Sequence, residues 1–428
     1  MDIFSLQIAL ILIAIILLVF TVIVIISAMK PKKEMDIKKE ILKSQQKQTS
    51  EKEKLDKVKD PYKRGEAYQK KGQLDNAIKA FKEAAKEDIN NIKIYYKLAE
   101  IYEDLSNYKE LIAQFKVILE LDPLDFDIRK RMANIHFKNK DYKPTLDQYK
   151  KVLEELPKDD ETCLKMGIIY LKQNKLQDAR ATFEKTLSIN PNNVDAKFYL
   201  AKVLMGQNDL EKAVIVLKDV LNYEPDNIDY RRHYAAALTN WGVEKYRIKK
   251  YSEASQLYKE ALKYDSENAD IYYNLGKTNI ELNKKSEALE NLNKALALNA
   301  RDVEILLALA DLLDILGDVR SSLNKYRDAV QIDPENAKIH CAYGAALGSS
   351  GDIEAAIKEL QLATELDPSF DEAHYNLAVA YEAIDKINEA VEEYKATIEC
   401  TPNHFEALSN LKALAEEHEV AYNALQEI

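Results

Sequence analysis

Glycine and proline are scarce in this chain of 428 residues, ten of each, and that scarcity excludes a fold built on many long loops and tight turns. What remains is long helices with short connections. Cysteine is scarcer still. Cys163, Cys341 and Cys400 are odd in number, far apart and form no C-x-x-C pair, which excludes a disulfide framework and a zinc knuckle and points to a reducing compartment. The six histidines form no H-E-x-x-H motif. His340, Cys341 and His374 come nearest to a metal set, yet two of the three stand at core-facing positions of the pattern described below, where packing is the simpler role. Positive charge is not in excess either: the net charge is -11, spread along the chain, and argues against a nucleic-acid backbone as the main partner. Tryptophan occurs once, at Trp241.

Long hydrophobic runs are absent with one exception. From Ile8 to Met29 the sequence reads IALILIAIILLVFTVIVIISAM, with no charged residue. About twenty helical residues cover a hydrocarbon core of about 30 Å, so residues 1–29 are expected to form a transmembrane anchor. A cleavable signal peptide ending near Ala28 is the competing reading; the leader lacks a basic region, and the apolar run outlasts an ordinary signal core. No Lys or Arg precedes the run, whereas Lys30, Lys32, Lys33, Lys38 and Lys39 follow it. That asymmetry puts the bulk of the chain on the cytoplasmic side. Residues 30–57 read as a basic, charged linker, either solvated or resting on anionic lipid through Lys30, Lys32 and Lys33.

The remainder keeps a constant ruler. Prolines recur at 123, 157, 191 and 225 and again at 334, 368 and 402, a period of 34, and Ala179 with Phe183, Ala254 with Tyr258 and Ala390 with Tyr394 keep one spacing. Ten units tile residues 58–404. Segment 160–193 places Met166, Gly167, Tyr170, Ala179, Phe183 and Pro191 at fixed offsets, and 371–404 places Leu377, Ala378, Tyr381, Ala390, Tyr394 and Pro402 likewise. Within each unit, positions 4, 7, 8 and 11 of a first helix share one arc and form a buried stripe. Glycine or alanine at position 8 admits a second helix closely; glycine at position 15 suits a left-handed turn, and proline at position 32 ends the second helix. Such a unit cannot bury its stripe alone, so stacking into an all-α solenoid is required.

The pattern resembles the tetratricopeptide repeat family, W-x2-L-G-x2-Y, then A-x3-F, then P. Tyr95, Tyr272, His340 and His374 stand where that family has tryptophan. The resemblance implies an α-α superhelix that binds proteins or peptides in a concave groove. In outline, one span followed by such repeats, the chain is also similar to the lipopolysaccharide assembly protein B family of bacterial inner membranes, without that family's carboxy-terminal metal-binding cysteine module. Residues 405–428 read as one amphipathic capping helix.

The sixth unit, 228–268, exceeds the others by seven residues. Seven residues turn a helix through 700°, about 20° short of two turns, so the insertion lengthens the first helix without rotating its buried face. Gly242 is the one potential breaker in the added stretch. Either the insertion is neutral, or Trp241, Lys245 and Tyr246 form a docking knob.

Positions 2, 5, 9, 12 and 13 of each first helix cluster about 140° from the stripe at 100° per residue, on the face that lines the groove in tetratricopeptide proteins. In the third unit these include Lys130, Asn134, Phe137 and Lys138, and in the fourth Leu164, Ile168, Leu171 and Lys172. Phe198, Lys202 and Met205 follow in the fifth, and Arg232 in the sixth. Apolar side chains edged by cations suit a peptide with acidic and apolar side chains; the competing reading buries them between neighbouring units. Lys130 with Asn134 resembles half of the carboxylate clamp of chaperone-binding members, but Lys165 and Asp195 occupy the places of its other residues.

Neither a glycine-rich phosphate loop nor a convergent pair of carboxylates is present, so no enzyme activity and no cofactor are expected. The expected function is that of a membrane-tethered scaffold gathering protein partners; an exported or envelope-facing subunit of a secretion or assembly complex is the alternative.

Overall fold

The computed structural model describes residues 38–43 and 55–427, and every regular element among them is a helix. The apolar run 8–29 and most of the linker 30–57 therefore lie outside the described residues. Among the described residues no helix is long and apolar enough to cross a membrane.

Helices alternate in pairs. After the opening pair, whose first helix is Pro61–Lys70, first helices begin at positions 92, 126, 160, 194 and 228, then at 269, 303, 337, 371 and 405, so that the interval is constant except for the one that starts at 228, which is longer by seven. The residue just before a first helix is usually Asp or Asn. Asp125, Asn193, Asn227, Asn268, Asp302 and Asn336 each accept a backbone N–H of the first turn. Such a cap stabilises a helix by about 1 kcal/mol.

The chain divides into two compact units, residues 1–162 and 163–428. In the first, Phe81, Ile94, Leu98, Ile101, Leu111, Phe115 and Ile118 form one core between successive helix pairs. In the second, a succession of clusters runs from Ala179 and Phe183 to Ala421 and Ala424. Fully burying a side chain of this size contributes about 1.5–3 kcal/mol.

The buried stripe is wider than positions 4, 7, 8 and 11. In Val303–Ile315, Leu306, Leu309, Ala310 and Leu313 are buried, but so are Ile305 and Leu312 at positions 3 and 10. The cause is that a first helix packs on two second helices at once. Leu309, Leu312 and Leu313 meet Ala288 and Leu292 of the preceding unit, while Leu306 meets Ala329 of its own. Two seams spaced i, i+4, i+7 lie side by side, and together they form the face.

Position 15 is left-handed in every unit, whichever residue fills it: Gly72, Gly317 and Gly351, but also Ser106, Lys140, Asn174, Asn208, Lys249, Asn283 and Asp385, with φ between 53° and 92°. This series locates the seven extra residues. Lys249 holds the turn position one ordinary period before Asn283, whereas its distance from Asn208 exceeds that period by seven. The whole insertion therefore precedes the turn, inside the 20-residue helix Ile228–Arg247. Gly242 does not break that helix. A Cβ there would lie 2.6 Å from the Tyr258 ring, as one at Gly167 would lie 2.5 Å from Phe183. Gly242 is thus the close-approach point of the displaced register, where a glycine is a packing requirement.

The carboxy terminus departs from the sequence reading. Instead of one capping helix there are two, Phe405–Glu417 and Glu419–Glu427, separated by His418 in extended conformation. The break lets Ala421 and Ala424 fold back into the core that holds Tyr394, Leu411 and Leu414; a straight helix would leave them in water.

Candidate partner-binding face

The residues expected to line a groove fall on helices of both compact units, and each unit stands by itself. In the first, Lys130, Asn134, Phe137 and Lys138 share the helix Phe126–Lys138. Lys130 forms an ion pair with Asp159. Burial favours the neutral acid at Asp159, but Lys130 and the Thr162 backbone N–H outweigh it and hold that carboxyl below its usual range. Asn134 accepts a hydrogen bond from the Tyr149 hydroxyl at 2.7 Å. Phe137 lies 6.2 Å from the Tyr142 ring, and Lys138 is exposed. The polar pair Lys130 and Asn134 is therefore engaged inside the fold.

In the second unit Leu164, Ile168 and Leu171, from Asp160–Lys172, and Met205, from Val194–Gly206, are half-buried against the core of Phe183, Leu200 and Leu204. Phe198 is half-buried too, its ring 4.9 Å from Tyr230 and 4.8 Å from His233 of the next first helix. The Lys202 ammonium sits 5.4 Å above the Phe198 ring. Lys172 and Arg232 are exposed. The two readings of these positions are therefore not exclusive: each apolar side chain rests partly on its neighbours and leaves the rest of its surface to solvent.

The sequence reading passed over the same face farther along the chain. Ala345, Gly348 and Ser349 occupy positions 9, 12 and 13 of Ala337–Ser350, and with Val379 of the next first helix and Ala383 at its end they open a cleft of about 310 Å³. Its signal in the sequence is the run CAYGAALGSSG at 341–351, rich in small residues.

At the lengthened helix, Trp241 and Tyr246 are half-buried and rest on the cluster of Tyr234, Leu238 and Tyr258. Lys245 pairs with Glu253 at 2.8 Å and lies 5.5 Å over the Trp241 ring. Tyr246 packs edge-on to Tyr251 at 5.2 Å and donates to Glu281 at 3.4 Å. Burial, with the nearby Glu281 carboxylate, pushes its phenol up to about 12.

Cys163 and Cys341 are buried and Cys400 is exposed, all as free thiols; burial pushes the Cys341 thiol up to about 11. His340 and His374 point both ring nitrogens at acceptors of the fold, Glu359 with the Pro334 carbonyl and Glu393 with the Pro368 carbonyl. No group of three His, Cys, Asp or Glu among the described residues is placed to hold a metal ion.

Comparison with known proteins bears on this repeated helix pair. Tetratricopeptide repeat models match residues 170–237, then 65–106, 242–283 and 347–385, then 92–123, 269–302 and 371–404, together more than half of the chain. No curated protein matches it. Among solved structures it is similar to YrrB, described as a TPR protein with an unusual peptide-binding site, at 22% identity over 46% of this chain and 97% of that one, with a TM-score of 0.38. It is similar to PilF of Pseudomonas aeruginosa at 23% identity over 53% and 96%, TM-score 0.37, and to MamA of Desulfovibrio magneticus at 20% over 40% and 97%, TM-score 0.37. The chain belongs to the tetratricopeptide repeat family, whose members are typically protein- and peptide-binding scaffolds without catalytic activity.

Proposed function

We propose that the protein is a membrane-tethered adaptor, its repeats on the cytoplasmic side of a bacterial inner membrane, and that its first-helix face binds segments of partner proteins rich in acidic and apolar side chains. The observation that carries the recognition part is the half-buried ledge of Leu164, Ile168, Leu171, Phe198 and Met205 beside Lys172, Lys202 and Arg232. A bound segment can complete the burial of those apolar side chains, while the cations select its charge. The tether rests on the uncharged run 8–29 and the lysines after it, and the same lysines support contact with anionic lipid.

The test uses the whole chain in a neutral detergent and an end-capped peptide alternating glutamate with leucine. Titration calorimetry should give saturable binding to the native chain, weakened at least about tenfold, or about 1.4 kcal/mol, when Lys172, Lys202 and Arg232 are all changed to Glu with helical content unchanged. Absence of binding, or equal binding by the variant, would refute the proposal.

A further inference from the structure

The seven inserted residues create a second surface, on the rim of the fold. The second helix Leu210–Tyr223 runs antiparallel to Ile228–Arg247, and the extra turns of the longer helix pass beyond the start of its neighbour. They overhang the turn at Asn208 and Asp209 and leave a cleft of about 240 Å³ between Leu210 and Glu211 on one side and Trp241, Glu244, Lys245 and Ile248 on the other. Its apolar lining is Leu210, the half-buried Trp241 and Ile248, which is 58% exposed. Its charged groups are not evenly spent. Lys245 pairs with Glu253, which Lys250 shares at 2.9 Å, and Asp209 is answered by Lys212 at 2.8 Å and Arg180 at 3.7 Å. Glu211 and Glu244 are exposed at the mouth; behind Glu253, which acts most strongly, both add to the affinity of Lys245 for its proton. Among the residues that line the cleft, Asp209, Glu211 and Glu244 outnumber Lys245, so its wall is negative, opposite in sign to the cations of the ledge described above.

We infer that this notch is a docking site for a basic and apolar segment of a partner protein: one aliphatic or aromatic side chain seated beside Trp241, with a lysine or arginine on each side of it meeting Glu211 and Glu244. Charge complementarity selects the occupant. A like-charged acidic segment is repelled, and an uncharged apolar one leaves both carboxylates without a partner. An aromatic anchor flanked by charge is the usual composition of a small recognition site. A unit of ordinary length ends its first helix level with its neighbour and cannot form this overhang, which gives the insertion a use separate from the groove.

Trp241 is the chain's only tryptophan, so its fluorescence reports on the notch alone. The experiment titrates the full chain, in neutral detergent, with an end-capped peptide alternating lysine with leucine. A saturable change in tryptophan emission is expected, with affinity at least tenfold lower for the Glu211→Lys, Glu244→Lys double variant and no change with the glutamate–leucine counterpart peptide. Changing Lys172, Lys202 and Arg232 to Glu should leave this binding as it is, so the notch and the groove succeed or fail separately. No emission change, an equal change with the acidic peptide, or undiminished affinity in the double variant would overturn the assignment. If the double variant loses helical content, Glu211→Gln with Glu244→Gln takes its place and should show the same loss of affinity; undiminished affinity there would equally overturn it.

Discussion

Position 4 of the first helix shows what a signature residue is selected to do. Where the family has tryptophan, four of this chain's residues, Tyr95, Arg129, His340 and His374, share one bond to the carbonyl six residues earlier. The Tyr95 hydroxyl donates to Ile89 at 2.9 Å, the Arg129 guanidinium to Pro123 at 2.8 Å, and the His340 and His374 rings to Pro334 and Pro368 at 3.0 and 3.2 Å. An indole N–H is also a lone donor, so the substitutions keep the donor and vary the ring. His374 adds a second bond, its Nδ1 donating to Glu393 at 2.6 Å. Only the imidazolium donates from both nitrogens, and Glu393, assisted by the Pro368 carbonyl, holds the His374 pKa above its ordinary value despite opposing burial. A raised folded pKa gives stability that is fully present below the unfolded value near ~6.5 and is lost as pH rises through the folded one. Thermal unfolding of the native chain should therefore lose stability from about pH 6.5 upward, and His374→Tyr, which keeps a single donor as Tyr95 does, should lose less over the same range. Equal pH profiles for the two proteins would contradict this. Glycines offer a second check. Gly242→Ala drives a methyl into the Tyr258 ring and should cost about 1–3 kcal/mol, whereas Gly348→Ala, with 3.7 Å to the nearest atom and a helix-interior backbone, should gain up to about 1 kcal/mol. Paired denaturant titrations measure both.

At the scale of the helix, the insertion tests why seven residues were tolerated. Its length preserves the buried face, and the structure contains both registers in one helix: Tyr234 and Ala235 before the insertion, Gly242 opposite Tyr258 after it. Removing Thr239–Lys245, seven residues, should restore an ordinary unit and leave the unfolding transition cooperative with a similar midpoint. Removing Thr239–Glu244, six residues, turns the following segment by about 100° and should lower the midpoint and broaden the transition; the same behaviour from both deletions would refute the account. This part of the fold was legible from the sequence because helical periodicity and a constant turn position are local properties. Other parts were not. Position 10 is not legible because the burial of Leu312 comes from the preceding unit, which no single helix pattern reveals. The packing role of Gly242 is not visible in the sequence because its partner, Tyr258, is distant along the helix pair, and the break at His418 is not visible because Glu416, Glu417 and Glu419 continue a helical pattern without a glycine or proline.

For the molecule as a whole, charge separates the surfaces. The chain is acidic overall, so its long-range field does not gather acidic partners, and their selection rests on cations within about a Debye length, ~8 Å at physiological salt. Exposed Arg232, with Lys202 beside Phe198, fills that part in the proposed groove, and Lys130 does not, because Asp159 already holds it. How well the face could be read from sequence follows the same division: residue type suggested the ledge, but only the packing distinguishes an engaged Lys130 from an exposed Arg232, and only geometry reveals the cleft beside Gly348 and Ser349. The most direct test of recognition through the first-helix face is site-specific photo-crosslinking of the full chain in the cells that express it, with the reactive residue placed in turn at Ile168 and Met205 on that face and at Lys185 and Lys218, exposed on the second helices. The account predicts discrete adducts from Ile168 and Met205 that a glutamate–leucine peptide displaces, and none from Lys185 and Lys218; equal adducts from all four positions, or adducts from the second helices alone, would contradict it.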